Sequence, residues 1–226
     1  MTPAPPPEHP GDAQPLVWFP DTSALVTMAV HPPLRNAVTA TLSAHRRVLV
    51  TAVVEELKGL ATISGPTAAW AGAALGQLDW LGNPVRLDTP ADMELAVELQ
   101  ERIAAGRPLK HPLEHFGEAA IISLGYRVQQ RLRLRPAILS DDYDARVTAK
   151  NHQVEPLSTH KLMHQMIRQG KITAAQATGF VRRFEDRQQP PRAVDVQPAD
   201  GGELLSCQAH ACRGAASAAY VLNGEE

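Results

Sequence analysis

Acidic residues stand at four places in this sequence where helices or strands are predicted to begin or end. They are Asp21, the pair Glu55-Glu56, Glu118 and the pair Asp141-Asp142. Mg²⁺ and Mn²⁺ are hard ions that bind carboxylate and water oxygens. If several of these carboxylates converge, they could hold one or two such ions. Two ions about 3.5–4 Å apart cleave phosphodiesters by activating a water and stabilising the leaving oxygen.

Each of these acids also has a purely structural interpretation. Asp21 and the Asp141-Asp142 pair could cap helices, because an Asp side chain accepts hydrogen bonds from backbone N–H groups of a first turn. Glu118 could complement the positive end of its helix. Adjacent glutamates such as Glu55-Glu56 are solvated surface residues by default. Only convergence of the acids in one cleft would therefore indicate a site.

Basic residues form a run before the fourth predicted strand and continue beyond it. They are Arg127, Arg131, Arg133, Arg135, Arg146 and Lys150. An acidic site repels phosphate, so cations nearby would be needed to hold a nucleic-acid backbone. Arg127, Arg131, Arg133 and Arg146 are the candidates for that role. A solvated helix end and loop explains the same run equally well.

Two further groups have metal-ligand residue types. Cys207, His210 and Cys212 offer three zinc-type ligands in a tail rich in Ala, Gly and Ser, and an incidental cluster is favoured over a metal site. His160 and His164 are four residues apart and could clip a metal, but ordinary surface histidines are favoured.

Short apolar runs alternate with helical patterns along the chain. The predicted strands cover residues 16–19, 48–50, 85–87, 137–139 and 154–157. The predicted helices cover residues 53–60, 67–80, 92–105, 117–128, 144–150, 162–167 and 173–184. This alternation predicts an α/β fold, a parallel sheet with helices on both faces. In such folds ligands bind outside the carboxyl ends of the strands, where Asp21 and Asp141-Asp142 follow their strands.

The composition is that of a globular protein. Hydrophobic residues make up 44% of the 226 residues, and the formal net charge of −2 does not by itself indicate a nucleic-acid binder. The chain lacks a secretory signal pattern and an apolar run of about 18 residues that could cross a bilayer. Its two cysteines lie too close together to staple the fold, which suits a reducing compartment. A cytoplasmic location is expected.

The same composition predicts four segments. Residues 1–15 are rich in Pro and are expected to be disordered, and residues 16–168 form the main domain. Residues 169–188 form a helical extension, and residues 189–226 form a low-complexity tail that is expected to be disordered.

Four segments resemble, in order, the motifs of PIN-domain ribonucleases. They are Asp21-Thr22-Ser23 after the first strand, Glu56-Leu57 on a helix, Gly117-Glu118-Ala119, and Ser140-Asp141-Asp142. The third segment looks like the branch of the family in which Glu replaces the more usual Asp. The resemblance covers about residues 16–168.

The resemblance implies a flavodoxin-like, three-layer α/β/α sandwich around a central parallel sheet, and RNA cleavage that depends on Mg²⁺ or Mn²⁺. It implies catalytic, metal-binding roles for Asp21, Glu56, Glu118 and Asp142. The supporting residues would be Ser23, Ser140, Asp141, Asp144 and Glu55. Glu56 is preferred to Glu55 as the ligand because Leu57 follows it directly.

The partners that follow from the resemblance are an RNA substrate, a small antitoxin protein and a second copy of the chain, with no membrane. Many bacterial members are VapC-like toxins, although the Pro-rich start and the tail of this chain exceed a minimal toxin. The alternative is a catalytically lapsed PIN-like module that binds RNA or a protein. An aspartate-nucleophile phosphatase would usually carry Asp-x-Asp at the first strand, whereas Asp21 is followed by Thr22-Ser23.

Overall fold

A computed structural model describes residues 16–42 and 45–185, together with the backbone of two short strands further along the chain. The expectations for residues 1–15 lie outside the described residues. So do those for most of residues 189–226 and for the side chains of the Cys207, His210 and Cys212 cluster.

The described chain alternates strands and helices as the sequence predicts. The strands are β1 (Leu16–Pro20), β2 (Arg46–Arg47), β3 (Arg135–Leu139), β4 (Glu155–Leu157), β5 (Val194–Asp195) and β6 (Ser206–Cys207). The helices are α1 (Thr22–Val30), α2 (Pro32–Leu42), α3 (Thr51–Thr62), α4 (Pro66–Leu75), α5 (Pro90–Ile103), α6 (Phe116–Leu132), α7 (Tyr143–Asn151), α8 (Thr159–Arg168) and α9 (Ala174–Glu185). A short 3₁₀ helix covers Asp79–Leu81.

Four of these strands form one parallel sheet in the order β2-β1-β3-β4. Trp18 pairs with Ala137, and Leu139 pairs with Leu157, so β1, β3 and β4 end at the same edge. The two central strands are buried along most of their length, as expected for a parallel sheet covered on both faces. The fold is therefore α/β, a parallel sheet flanked by helices.

The second predicted strand is displaced in the structure. Strand β2 lies at Arg46–Arg47, whereas the predicted residues 48–50 form only its continuation: Val48 N donates to Trp18 O at 2.8 Å, and Val50 makes an isolated parallel bridge to Val85. The prediction of a strand at residues 85–87 was wrong, because that bridge is its only ladder pairing within the described chain. Leu49 and Val50 are buried, which explains their apolar pattern.

Two helices also differ from the sequence predictions. The helix predicted for residues 67–80 ends at Leu75, where Gly76 provides the C-cap. Helix α2 had not been predicted, although Leu34, Val38 and Leu42 recur at helical spacing and are buried.

Helix α6 is the central helix of the core. Every residue from Gly117 to Gly125 is buried, and the helix contacts α3, α5, α7 and β3. The first turn of α6 is therefore inside the protein, which buries Glu118. Ile172 and Phe180 belong to the same hydrophobic core, so the C-terminal extension packs on the domain.

Within the described residues, none of the helices combines the length and the apolar character needed to cross a membrane.

Candidate active site

Three loops that follow parallel strands meet at the carboxyl edge of the sheet. The backbone N–H of Asp21, just after β1, donates to Leu139 O at 3.1 Å, and Ser140 N donates to Leu157 O at 2.9 Å. Asp21 and Asp142 are the N-caps of α1 and α7, and both helices start from this edge. The strand-end acids are therefore brought to one place by the sheet register.

Asp21 is fully buried. Its Oδ1 accepts hydrogen bonds from Ala24 N at 2.8 Å and from Ser23 Oγ at 3.0 Å. Burial and the charge of Asp141 raise its pKa, hydrogen bonds from Ser140, Ala24 and Ser23 lower it, and the net result is a pKa of about 7. Both Ser23 and Ser140, the supporting hydroxyls of the sequence prediction, thus contact or face this carboxyl group.

Glu56 reaches the same region from α3. Its Oε2 accepts a hydrogen bond of 2.6 Å from Thr22 Oγ1 in the first turn of α1. A Cβ atom on Gly117 would lie 2.7 Å from the same oxygen, so the carboxylate lies against bare backbone of α6. Burial raises the pKa of Glu56, whereas the Thr22 hydrogen bond and the neighbouring His111 lower it.

Glu118 is where the electrostatic effects of the cluster combine. Burial raises its pKa well above the usual range, and the charges of Asp21, Glu56 and Asp142 raise it further. Its Oε2 is buried and has no hydrogen-bond partner among the residues that the structure describes. A buried oxygen without a partner is costly, and it is an unused acceptor at the centre of the acids.

Asp142 completes the group of four. Its Oδ1 accepts from Ala145 N at 2.9 Å as an N-cap, and its backbone N–H donates to Ser140 Oγ at 3.1 Å. Arg146 Nη1 donates to Ser140 O at 3.0 Å, which holds a guanidinium group beside the loop. Capping and convergence, which the sequence left as alternatives, both describe Asp142.

Asp141 differs from its neighbour, because it is engaged by another helix. Its Oδ1 and Oδ2 accept from the backbone N–H and the hydroxyl of Thr159, each at 2.8 Å, at the start of α8. Its own N–H donates to Ser23 Oγ at 3.3 Å. Asp141 therefore fixes the loop between β3 and α7 and acts on Asp21 through its charge.

Two predicted auxiliaries are exposed, unlike the buried acids. Glu55 is exposed and pairs with Lys58 at 2.8 Å, one turn along α3. Asp144 is exposed in the first turn of α7.

The four predicted RNA-binding arginines are dispersed. Arg127 forms ion pairs with Asp88, at 2.7 Å, and with Asp92. Arg131 lies in the last turn of α6, and Arg133 caps the end of that helix, just before β3 begins at the opposite edge of the sheet. Arg146 alone of the four lies at the acidic edge.

Several residues of the site were missed by the sequence analysis. Thr22 and Thr159 bind acids 34 and 18 positions away, and no local pattern reports such contacts. His160 and His164 were expected at the surface, but His164 is buried and its pKa is lowered to about 4 by burial, His160 and Arg168. The Nε2 atom of His160 is buried without a hydrogen-bond partner within the described residues.

The oxygen donors suit Mg²⁺ or Mn²⁺, yet they are not arranged around an ion. Within residues 16–42 and 45–180, no three His, Cys, Asp or Glu side chains are placed so that they could hold a metal. Burial favours the protonated forms of Asp21 and Glu118, and carboxylates must lose their protons to bind a metal.

Comparison of the chain with protein-family models, with curated proteins and with solved structures finds no match.

Proposed function

We propose that this protein is a divalent-metal-dependent endoribonuclease with a PIN-like, flavodoxin-like α/β/α fold. The observation that carries the proposal is Glu118, a buried carboxyl group whose pKa is raised by burial and by three other carboxylates, with one oxygen unpartnered in the described part of the chain. Strongly perturbed acids grouped at strand ends are typical of functional sites.

The residues of the site would divide the work as follows. Asp21, Glu56, Glu118 and Asp142 would hold Mg²⁺ or Mn²⁺, which when bound supplies an activated water and neutralises charge on the phosphodiester. Ser23 and Ser140 orient Asp21. Thr22 holds Glu56 in place, and Arg146 offers a cation beside the site for an RNA phosphate.

The test compares two aspartates of the same helix start. Purified protein with Mn²⁺ should cleave single-stranded or structured RNA, and EDTA should stop it. Asp142→Asn keeps the helix cap, since Asn caps about as well as Asp, but removes one charge from the site. It should abolish cleavage, whereas the matched change Asp144→Asn, on an exposed acid, should not. Equal activity in both variants would refute the assignment.

A second candidate is a catalytically lapsed module that binds RNA or a protein. The observation that favours it is the lack of a ready-made metal arrangement within the described residues. Calorimetric titration with Mn²⁺ separates the two, because a working cluster should bind the ion with release of protons and a lapsed one should not.

A toxin role with a small antitoxin, assembly with a second copy and a cytoplasmic location extend the same proposal. Co-purification with the product of a neighbouring small reading frame would test the antitoxin.

A further inference from the structure

A second concave site lies at the other edge of the sheet, where β3 and β4 begin and where α6 and α7 end. This open cavity of about 480 Å³, the amino-edge pocket, is lined among others by Gln129, Arg133, Arg135, Lys150, Val154 and Glu155. The length of β3 separates it from the acidic cluster by about 13 Å, at roughly 3.3 Å per residue. The pocket is therefore independent of the proposed nuclease site.

Positive charge is in excess in this pocket. The lining contains three cations, Arg133, Arg135 and Lys150, and one carboxylate, Glu155. Arg135 Nη2 forms an ion pair with Glu155 Oε2 at 3.0 Å. Arg133 and Lys150 make no ion pair within residues 16–42 and 45–180 and are exposed. Burial lowers the pKa of Lys161, and the positive charge of the neighbouring Lys150 also lowers it, so Lys150 lies close to that group. Two cations are thus left for an anion.

The pocket also contains an unused acceptor. Gln129 Oε1 is buried and has no hydrogen-bond partner among the described residues. Because this atom is sealed from solvent, a hydroxyl or amino donor on a ligand would reach it only if the Gln129 amide turned toward the cavity. Pro136, Val154 and Pro156 contribute apolar lining on which a sugar or a base could rest.

We propose that the amino-edge pocket binds a small phosphate-bearing ligand of nucleotide size. Arg133 and Lys150, which are exposed, would pair with the phosphate. Gln129, with its amide turned toward the cavity, would accept a hydrogen bond from a donor on the sugar or the base. The volume lies within the range of about 300–1,000 Å³ that is usual for small-molecule sites. The cavity is open but limited in volume, so it fits a compact ligand, whereas a continuous strand of RNA would extend beyond it. The helix ends that meet here present carbonyl groups, so the binding depends on the side-chain cations.

The probes are 5′-AMP, inorganic phosphate and adenosine, titrated calorimetrically into the full chain in EDTA so that no metal occupies the acids. We expect 5′-AMP to bind, phosphate to bind more weakly, and adenosine not to bind at millimolar concentration. Lys150→Gln and Arg133→Gln should each weaken AMP binding ~10-fold or more, as for a lost charge-assisted hydrogen bond. Both side chains are exposed, so both variants should fold.

The control is Arg102→Gln, which removes a cation from exposed α5, where it pairs with Glu98, and should leave AMP binding unchanged. Asp142→Asn should also bind AMP normally. Equal binding of adenosine and AMP, or unaltered binding in Lys150→Gln and Arg133→Gln, would overturn the proposal. So would absence of binding up to ~10 mM. Loss of binding in Asp142→Asn would move the ligand to the acidic edge, and displacement of AMP by an unphosphorylated RNA oligonucleotide would make the pocket an RNA-backbone site instead.

Discussion

The hydroxyl of Thr22 holds the one acid of the cluster that comes from α3. Its hydrogen bond of 2.6 Å to Glu56 lowers the pKa of a carboxyl group that burial raises. We predict that Thr22→Val, which keeps the shape of the side chain, raises the pKa of Glu56 and lowers Mn²⁺-dependent RNA cleavage about 10-fold, as expected for one hydrogen bond to a charged group.

Thr22→Ser is the matched control, because it keeps the hydroxyl. NMR titration of Glu56 together with cleavage rates gives the readout. If Thr22→Val and Thr22→Ser behave alike, the hydroxyl does not position Glu56.

Gly117 is required by contact with the same carboxylate. Its missing side chain leaves room for Glu56 Oε2, which would lie 2.7 Å from an added Cβ. Because the close atom is the end of a flexible side chain, Gly117→Ala should push the Glu56 carboxylate aside and so gain less than the up to ~1 kcal/mol that Gly→Ala brings to a helix. The Mn²⁺-dependent rise in melting temperature should also shrink, because Glu56 is displaced.

The control for this prediction is Gly72→Ala in α4, where nothing lies within 4 Å of the added Cβ. That change should stabilise the protein by up to ~1 kcal/mol through helix propensity. Thermal unfolding of both variants, with and without Mn²⁺, checks the pair. Stabilisation by Gly117→Ala equal to that by Gly72→Ala would contradict the close approach of Glu56.

At the scale of elements, neighbouring aspartates join different helices to the sheet edge. Asp141 accepts two hydrogen bonds from Thr159 at the start of α8, and Asp142 caps α7. Asp141→Ala should therefore lower the free energy of unfolding by about 1–2 kcal/mol and still leave a Mn²⁺-dependent rise in melting temperature.

Asp142→Asn should show the opposite pattern, with stability held and the Mn²⁺ effect largely lost. Thermal unfolding at several Mn²⁺ concentrations distinguishes the two. A Mn²⁺ effect lost in Asp141→Ala and kept in Asp142→Asn would exchange the roles assigned to them.

The sequence predicted the elements better than it predicted their contacts. Apolar runs identified β1, β3 and β4, and the acids after them were expected at one edge because parallel strands end together. The second strand lies earlier in the chain than the predicted residues 48–50, because Val50 is already the N-cap of α3. Contacts such as Thr159 with Asp141, or Arg127 with Asp88, depend on how helices pack, and a single sequence does not encode that locally.

At the scale of the whole molecule, the buried acids make stability depend on pH. The pKa of Asp21 is raised from an ordinary 3.8 to about 7, and that of Glu118 is raised as well. Between pH 3.8 and about pH 7, the two pKa values of Asp21, the folded state binds more protons than the unfolded state. The stabilisation is therefore complete below about pH 4 and is lost as the pH rises through about 7.

Chemical denaturation in EDTA should accordingly show the contribution of Asp21 decline by at most about 1.4 kcal/mol per pH unit over that window. Asp21→Asn should flatten the decline, and saturating Mn²⁺ should reverse it by binding the ionised cluster. The buried His164, whose pKa is lowered to about 4, contributes the opposite slope in wild type, so the test is the difference between the two proteins. A pH dependence of the free energy of unfolding from pH 4 to pH 7 in EDTA that is the same in wild type and Asp21→Asn would contradict the buried position of Asp21.

Asp21 and Asp142 each have two roles, helix cap and member of the proposed site, and this limits what their presence in a related sequence can show. Each caps a helix with Oδ1, so selection for folding alone would retain an Asp or Asn there even after activity had been lost. Glu118 is different, because its buried Oε2 has no hydrogen-bond partner in the described chain. Selection for folding alone would therefore not retain this carboxylate. Under the proposed nuclease function, loss of the carboxylate at position 118 among relatives of this chain would therefore mark an inactive descendant, whereas Asp at positions 21 and 142 would not identify an active one.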